Sequence, residues 1–160
     1  MRRPIKKRPK LNPDPVYGSE KVEKLVNYIM ERGKKTVARK VVYNAFKKIE
    51  DQTKQAPLTV FETALKNVSP QMEVRSRRIG GANYQVPHEV RPERQQSLSF
   101  RWIIGAAQSR SGKPMSDRLA EEIILANKNE GEAIKKKENV HKMAESNRAF
   151  AHFAWTGKKK

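Results

Sequence analysis

The sequence contains no cysteine. That excludes a disulfide scaffold, thiolate-ligated zinc and thiol chemistry, and it argues against a secreted chain. No apolar run approaches the roughly 18 residues of a membrane-spanning helix. The start, Met1-Arg2-Arg3-Pro4-Ile5-Lys6-Lys7-Arg8-Pro9-Lys10, is basic with no apolar stretch behind it, unlike a secretory signal. A soluble protein of a reducing compartment is expected. Acids are scarce: 17 Asp and Glu face 35 Lys and Arg, a net charge of +18 over 160 residues. That length suits one domain with a modest core.

Catalytic patterns are also missing. Gly33-Lys34-Lys35-Thr36 imitates the end of a phosphate-binding loop, but the first glycine would fall at position 28, which is Tyr28, and a helix rather than a strand precedes it. Gly80-Gly81 lacks the third glycine and the βαβ setting of a dinucleotide fingerprint. His141 and Glu145 have the i, i+4 spacing of a metal pair, with no further ligands to complete it. Catalytic residues, metal ligands and cofactors are all expected to be none.

What is present is helical periodicity. Residues 1–18 hold Pro4, Pro9, Pro13 and Pro15 and read as an extended basic arm. Ser19 is placed to cap a first helix on Val22, Leu25, Val26, Ile29 and Met30, stopped by Gly33. Thr36 opens a second on Ala38, Val41, Val42, Ala45, Phe46 and Ile49. A third starts at Pro57, with Thr59 and Glu62 at capping-box spacing and Leu58, Phe61, Leu65 and Val68 inward. The period then changes to two. Residues 72–79 and 84–91 read as strands about Gly80-Gly81, a hairpin with no continuous apolar face that is expected to project. A fourth helix follows Pro92, apolar nearly all round at Leu98, Phe100, Trp102, Ile103, Ile104, Ala106 and Ala107, and expected to be the most buried. Ser116 caps a fifth. A sixth runs from Glu132 to about Phe153. The fold class is mainly α: a six-helix, bundle-like body with one projecting β-hairpin arm between helices 3 and 4. As a single domain it divides into an arm at 1–18, a body at 19–155 with the hairpin at 72–91, and a basic tail at 156–160.

The charge is concentrated. Residues 1–18 carry six cations against one acid, residues 19–56 ten against five, and residues 71–114 eight against three. Such a basic tail joined to basic mid-chain elements is the footprint of a polyanion binder. Arg75, Arg77 and Arg78 sit on the hairpin with Tyr84 beyond the glycines and Arg91 and Arg94 at its base. Edge-strand charge against aggregation explains one or two of these. An arginine cluster interleaved with an aromatic fits nucleic acid better, since guanidinium forks bind phosphate and stack on bases. Lys34-Lys35 reads as a second phosphate contact. Lys135-Lys136-Lys137, flanked by Glu132 and Glu138, suits a solvated face equally well. Zinc-finger, basic-zipper and clean helix-turn-helix patterns are lacking, and the dispersed charge suits a folded RNA.

Several stretches carry a family resemblance: Pro13-Asp14-Pro15-Val16-Tyr17-Gly18-Ser19, Ser76-Arg77-Arg78-Ile79-Gly80-Gly81-Ala82-Asn83-Tyr84-Gln85-Val86-Pro87, Glu89-Val90-Arg91-Pro92, Phe100-Arg101-Trp102-Ile103, and the run from His141 to His152. On these the chain resembles the universal small-subunit ribosomal protein S-seven family, in bacterial or plastid form, from about Arg2 to Trp155. The resemblance implies a non-enzyme that binds the three-prime major domain of small-subunit rRNA and nucleates head assembly. It implies rRNA contacts at Arg2, Arg3, Lys6, Lys7, Arg8, Lys10, Lys34, Lys35, Arg75, Arg91 and Arg94. It implies that Arg77, Arg78, Gly80, Gly81, Tyr84, Arg148 and Trp155 face exit-site tRNA and mRNA. Its implied neighbours are small-subunit proteins S-nine and S-eleven, with no membrane partner, on a cytoplasmic ribosome or, for an organellar form, in the plastid stroma. His88 departs from the family's apolar residue, and Gln108 and Ser109 replace a more basic helix end. The competing readings are a DNA-coating architectural protein, an RNA-processing enzyme using His141 and Glu145, and a membrane-surface protein.

Overall fold

The computed structural model describes residues 11–156. Six α-helices and one hairpin follow in the order α1 (Glu20–Ile29), α2 (Lys35–Thr53), α3 (Pro57–Val68), β1 (Met72–Ile79), β2 (Ala82–Glu89), α4 (Pro92–Ser109), α5 (Met115–Asn127) and α6 (Glu132–Ser146). A 3-10 segment, Arg148–Thr156, closes the described chain. The mainly helical class and the hairpin between the third and fourth helices are as the sequence predicts.

Apolar spacing builds the body. Val22, Leu25 and Val26 turn inward from α1, and Val42, Ala45, Phe46 and Ile49 from α2, each fully buried. The rings of Phe46 and Phe61 lie 5.4 Å apart, and those of Phe61 and Phe100 6.4 Å, joining α2, α3 and α4 through the core. α5 packs against α2, α3, α4 and α6 and carries no exposed residue. The expectation that α4 is most buried therefore fails: Arg101, Gly105, Gln108 and Ser109 leave it one open face.

Helix ends differ from the side-chain caps expected. Ser19, at the N-cap of α1, makes no side-chain cap bond. α3 begins at Pro57, whose fixed φ suits a first helical position, so Thr59 lies inside the helix and Glu62 instead bonds Lys21 at 2.7 Å. α5 begins one residue before Ser116, whose hydroxyl donates to Asp117. α1 stops at Ile29, ahead of Gly33; Arg32 and Gly33, at φ +48° and +74°, form the turn into α2.

Three larger corrections concern the periphery. The extended arm expected over 1–18 does not describe residues 14–18, which form a turn docked on α2, with Asp14 buried and Tyr17 packed against Phe46. The hairpin does not simply project. β1 lies against α6 and β2 against the 3-10 segment, with Val86 fully buried. The sixth helix ends at Ser146 rather than continuing to Phe153. There the Met143 carbonyl accepts both the Asn147 N–H at 3.2 Å and Asn147 Nδ2 at 2.7 Å, and the following bond, Phe150 N–H to the Asn147 carbonyl at 2.9 Å, is of the tighter 3-10 kind.

Candidate nucleic-acid interface

The hairpin is antiparallel, with Arg78 opposite Asn83, Arg77 opposite Tyr84 and Ile79 opposite Ala82. That leaves Gly80 and Gly81 as a two-residue turn at φ +55° and +91°. Positive φ at both central positions matches the strand twist and is open to glycine at little cost. Arg78 is therefore carried next to an exposed, side-chain-free tip.

The cations that look alike in sequence separate into two populations. Glu73, on β1, is 8 % exposed and accepts from Arg75 Nε at 2.6 Å and from Arg94 Nε at 3.3 Å. Burial works against the Glu73 charge, but the hydrogen bond and charge of Arg75, joined by Arg94, outweigh it and hold the carboxyl below its usual range. Lys35 bonds the buried Glu23, which Arg39 reaches at 3.2 Å, and Lys35's hydrogen bond is the main reason that Glu23's pKa is depressed. Arg75, Arg94 and Lys35 thus have protein partners. Lys34, Arg78, Arg91, Arg101 and Arg148 are exposed and hold no ion pair among the described residues.

Two residues predicted to face nucleic acid are engaged with the chain itself. Arg77 donates to the Phe153 carbonyl. The Tyr84 ring lies 5.2 Å from Phe150 and 5.3 Å from Phe153. Together they hold the 3-10 segment on the hairpin, with Arg148 exposed at its start. Arg2, Arg3, Lys6, Lys7, Arg8 and Lys10 lie outside the described residues. Trp155 lies within the segment, with its side chain outside those described.

A groove of about 650 Å³ between α1 and α4 is lined by Lys24, Tyr28, Arg94, Gln96, Ser97 and Arg101, among others. Tyr28 is 40 % exposed; its ring stacks on Phe100 at 5.3 Å and its hydroxyl bonds Ser97 at 2.9 Å. A braced, half-open aromatic beside Lys24 and the exposed Arg101 offers one stacking surface next to phosphate-binding groups, while Arg94 is held by Glu73 and Glu93 lines the same groove. Sequence reasoning missed Lys24, Tyr28 and Arg101. The available signal was their spacing: 24 and 28 share a helix face, as do 94, 97 and 101.

His141 has a structural partner: its Nε2 accepts the Gln71 peptide N–H at 3.1 Å, tying α6 to the start of β1. Burial, with Lys137 adding to it, lowers its pKa and favours the neutral ring that can accept. Among the described residues no three His, Asp or Glu side chains converge on a metal site, and no helix is long and apolar enough to cross a membrane.

Residues 1–148 match the family described as ribosomal protein S7p/S5e. The chain is 55 % identical over 155 residues to the small ribosomal subunit protein uS7 of Thermotoga maritima, covering 97 % of this chain and 100 % of that one. It is 56 % identical to the protein of the same name from Carboxydothermus hydrogenoformans, over 96 % of this chain and 98 % of that one. The counterpart from Thermotoga petrophila is 59 % identical over 143 residues, 89 % of this chain and 92 % of its own.

Proposed function

From the premise that the chain belongs to the ribosomal protein S7p/S5e family, we propose that it binds the three-prime major domain of small-subunit rRNA directly and nucleates assembly of the subunit head. Membership makes it a structural, non-enzymatic constituent of the small ribosomal subunit, an rRNA-binding protein of a ribonucleoprotein that works in translation. The RNA-processing alternative falls with that assignment.

The observation that carries the binding reading is the division of the cations. Those facing acids help to hold the body together while keeping part of their side chains exposed. Lys34, Arg78, Arg91 and Arg101 are left exposed along the α1–α2 turn, the hairpin and α4. Phosphate contacts from such side chains supply affinity, and their placement on a rigid body matches an irregular RNA shape. The arm cations Arg2, Arg3, Lys6, Lys7, Arg8 and Lys10 extend that surface. Arg78, Gly80, Gly81, Arg148 and Trp155 face exit-site tRNA and the outgoing mRNA, with Arg77 and Tyr84 serving that surface by holding the C-terminal segment in place. Small-subunit proteins S-nine and S-eleven are its protein neighbours. The setting is a cytoplasmic ribosome; a plastid ribosome would place the chain in the stroma.

A competition assay near physiological salt tests this. Labelled three-prime-domain rRNA is challenged with equal masses of unrelated structured RNA and of duplex DNA. A preference of about a hundredfold or more is expected of specific over nonspecific binding. Equal competition would reduce the interaction to net charge and sink the reading.

A further inference from the structure

The turn at residues 14–18 is built around a buried carboxylate. Asp14 is 1 % exposed, and its Oδ2 accepts the N–H groups of Val16 and Tyr17 at 3.1 Å each. The Tyr43 hydroxyl, from α2, lies 2.9 and 3.0 Å from its two oxygens. The Gly18 N–H returns to the Asp14 carbonyl at 2.8 Å, and Gly18 takes a φ of +61° to do so. The Tyr17 ring meets Tyr43 and Phe46 edge-on, with centroids 5.6 and 5.0 Å away. A carboxylate taken out of water is costly unless donors surround it; once surrounded, it fixes direction more tightly than apolar contact does.

The anchor continues into the body. Arg39 Nε stands 3.8 Å from Asp14 Oδ1, while its Nη2 bonds Glu23, which also holds Lys35. Arg39 Nε is buried without a hydrogen-bond partner, so the two acids hold it by charge. Asp14, Arg39, Glu23 and Lys35 thus connect the root of the basic arm to the turn that carries Lys34. Exposed Lys40 and Lys47 lie three residues before and four after Tyr43, on the same side of α2. Burial first, then the Asp14 hydrogen bond, pushes the Tyr43 pKa up to about 12, so its hydroxyl remains a donor at any working pH.

We propose that Asp14 and Tyr43 are positioning residues for RNA binding. They fix residues 14–18 on α2, linked through Arg39 and Glu23 to the turn that carries Lys34, so that the cations preceding them in the chain reach phosphate from a fixed root. The inference rests on the rRNA-binding reading above. A fixed root raises the effective concentration of the arm cations at the phosphates they meet, and a loosened root dilutes them.

The test is a double-mutant cycle in the full chain, measured against three-prime-domain rRNA below the melting temperature. One change is Tyr43→Phe, which keeps the ring and removes the hydroxyl. The other is replacement of Arg2, Arg3, Lys6, Lys7, Arg8 and Lys10 by Gln. Tyr43→Phe is expected to weaken binding roughly three- to tenfold in the intact chain and less than about twofold in the arm-neutralised chain. Asp14→Asn should follow the same pattern wherever its helix signal is preserved. Equal losses in both backgrounds would show that Tyr43 merely supports the body, and no loss in the intact chain would show that the root needs no anchor; either overturns the proposal. An intact chain without preference for the rRNA would instead overturn the binding reading on which the proposal stands.

Discussion

Arg77 and Tyr84 lie directly opposite each other in the hairpin and hold the same piece of chain from two sides. The guanidinium takes the Phe153 carbonyl, and the ring packs against Phe150 and Phe153. Each aromatic pair contributes about 0.5–1.5 kcal/mol beyond its buried area. Tyr84→Ala should therefore cost about 1–3 kcal/mol of local stability for the 3-10 segment. Hydrogen exchange of the amides at 148–154 should accelerate while those of α3 keep their protection. Unchanged protection at 148–154 would mean that Tyr84 does not hold the segment.

Glu122 does for α6 what no local cap does. It is fully buried, takes Arg110 Nη2 at 2.6 Å, and accepts the Ala133 N–H in the first turn of α6 at 2.9 Å. Gly131 makes room for it: at φ +96°, a Cβ there would stand 2.7 Å from Glu122 Oε1. Glu122→Ala removes the cap and strands Arg110, and should cost about 3 kcal/mol in urea unfolding. Glu122→Gln keeps an acceptor and should cost about half of that. Gly131→Ala should cost about 1–3 kcal/mol through backbone strain and crowding of the carboxylate. A Glu122→Ala midpoint within error of the parent would remove the capping role.

The helices were legible because their cores repeat locally: Val22, Leu25 and Val26, or Phe61 and Leu65, announce a buried face within one or two turns. The hairpin was legible from Gly80-Gly81 for the same reason, since the turn's φ requirement is carried by adjacent residues. What escaped depends on partners distant in sequence. Asp14 finds Tyr43, and Glu122 finds Ala133 around a loop. The groove joins Tyr28 to Ser97 across 69 residues. Residues 147–153 read as more of α6 because Ala149, Phe150 and Ala151 suit a helix; Tyr84, from another element, draws Phe150 and Phe153 aside. Part of the sorting of arginines was local: strand period puts Glu73 and Arg75 on one face of β1 and Arg78 on the other, whereas the second partner of Glu73, Arg94, comes from α4 and needed the fold.

Acid should loosen the protein in two stages. The folded His141 pKa lies below its ordinary 6.5, so the folded state binds fewer protons than the unfolded chain once pH drops under that value. Its contribution is full above pH 6.5 and falls as pH passes down toward the folded pKa. Glu23 and Glu73 are depressed below an ordinary 4.5, so their contribution is present above 4.5 and is lost as pH falls further. Urea midpoints at pH 7.5, 5.5 and 3.5 separate the stages. His141→Gln, which keeps an acceptor for the Gln71 N–H, should flatten the first stage and leave the second. A first stage of the same size in that variant would assign it to another group.

The two populations of cations predict two kinds of mutant. Arg78→Ala, Arg91→Ala and Arg101→Ala each remove an exposed charge with no acid partner among the described residues, so thermal stability should hold. If each neutralises one rRNA phosphate, the slope of log affinity against log salt should shrink by about 0.7–0.9 per substitution. Arg75→Ala and Arg94→Ala strip a partner from the buried Glu73 and should lower stability as well as affinity. Changing Arg75, Arg77 and Arg78 together would mix an unpaired buried acid, a released C-terminal segment and a lost phosphate contact, and its affinity could not be read. Arg101 is the sharpest single test, because it belongs to the groove and the sequence did not mark it. A stable Arg101→Ala protein with an unchanged salt slope would place the groove outside the RNA interface and leave the hairpin and the α1–α2 turn to account for the binding.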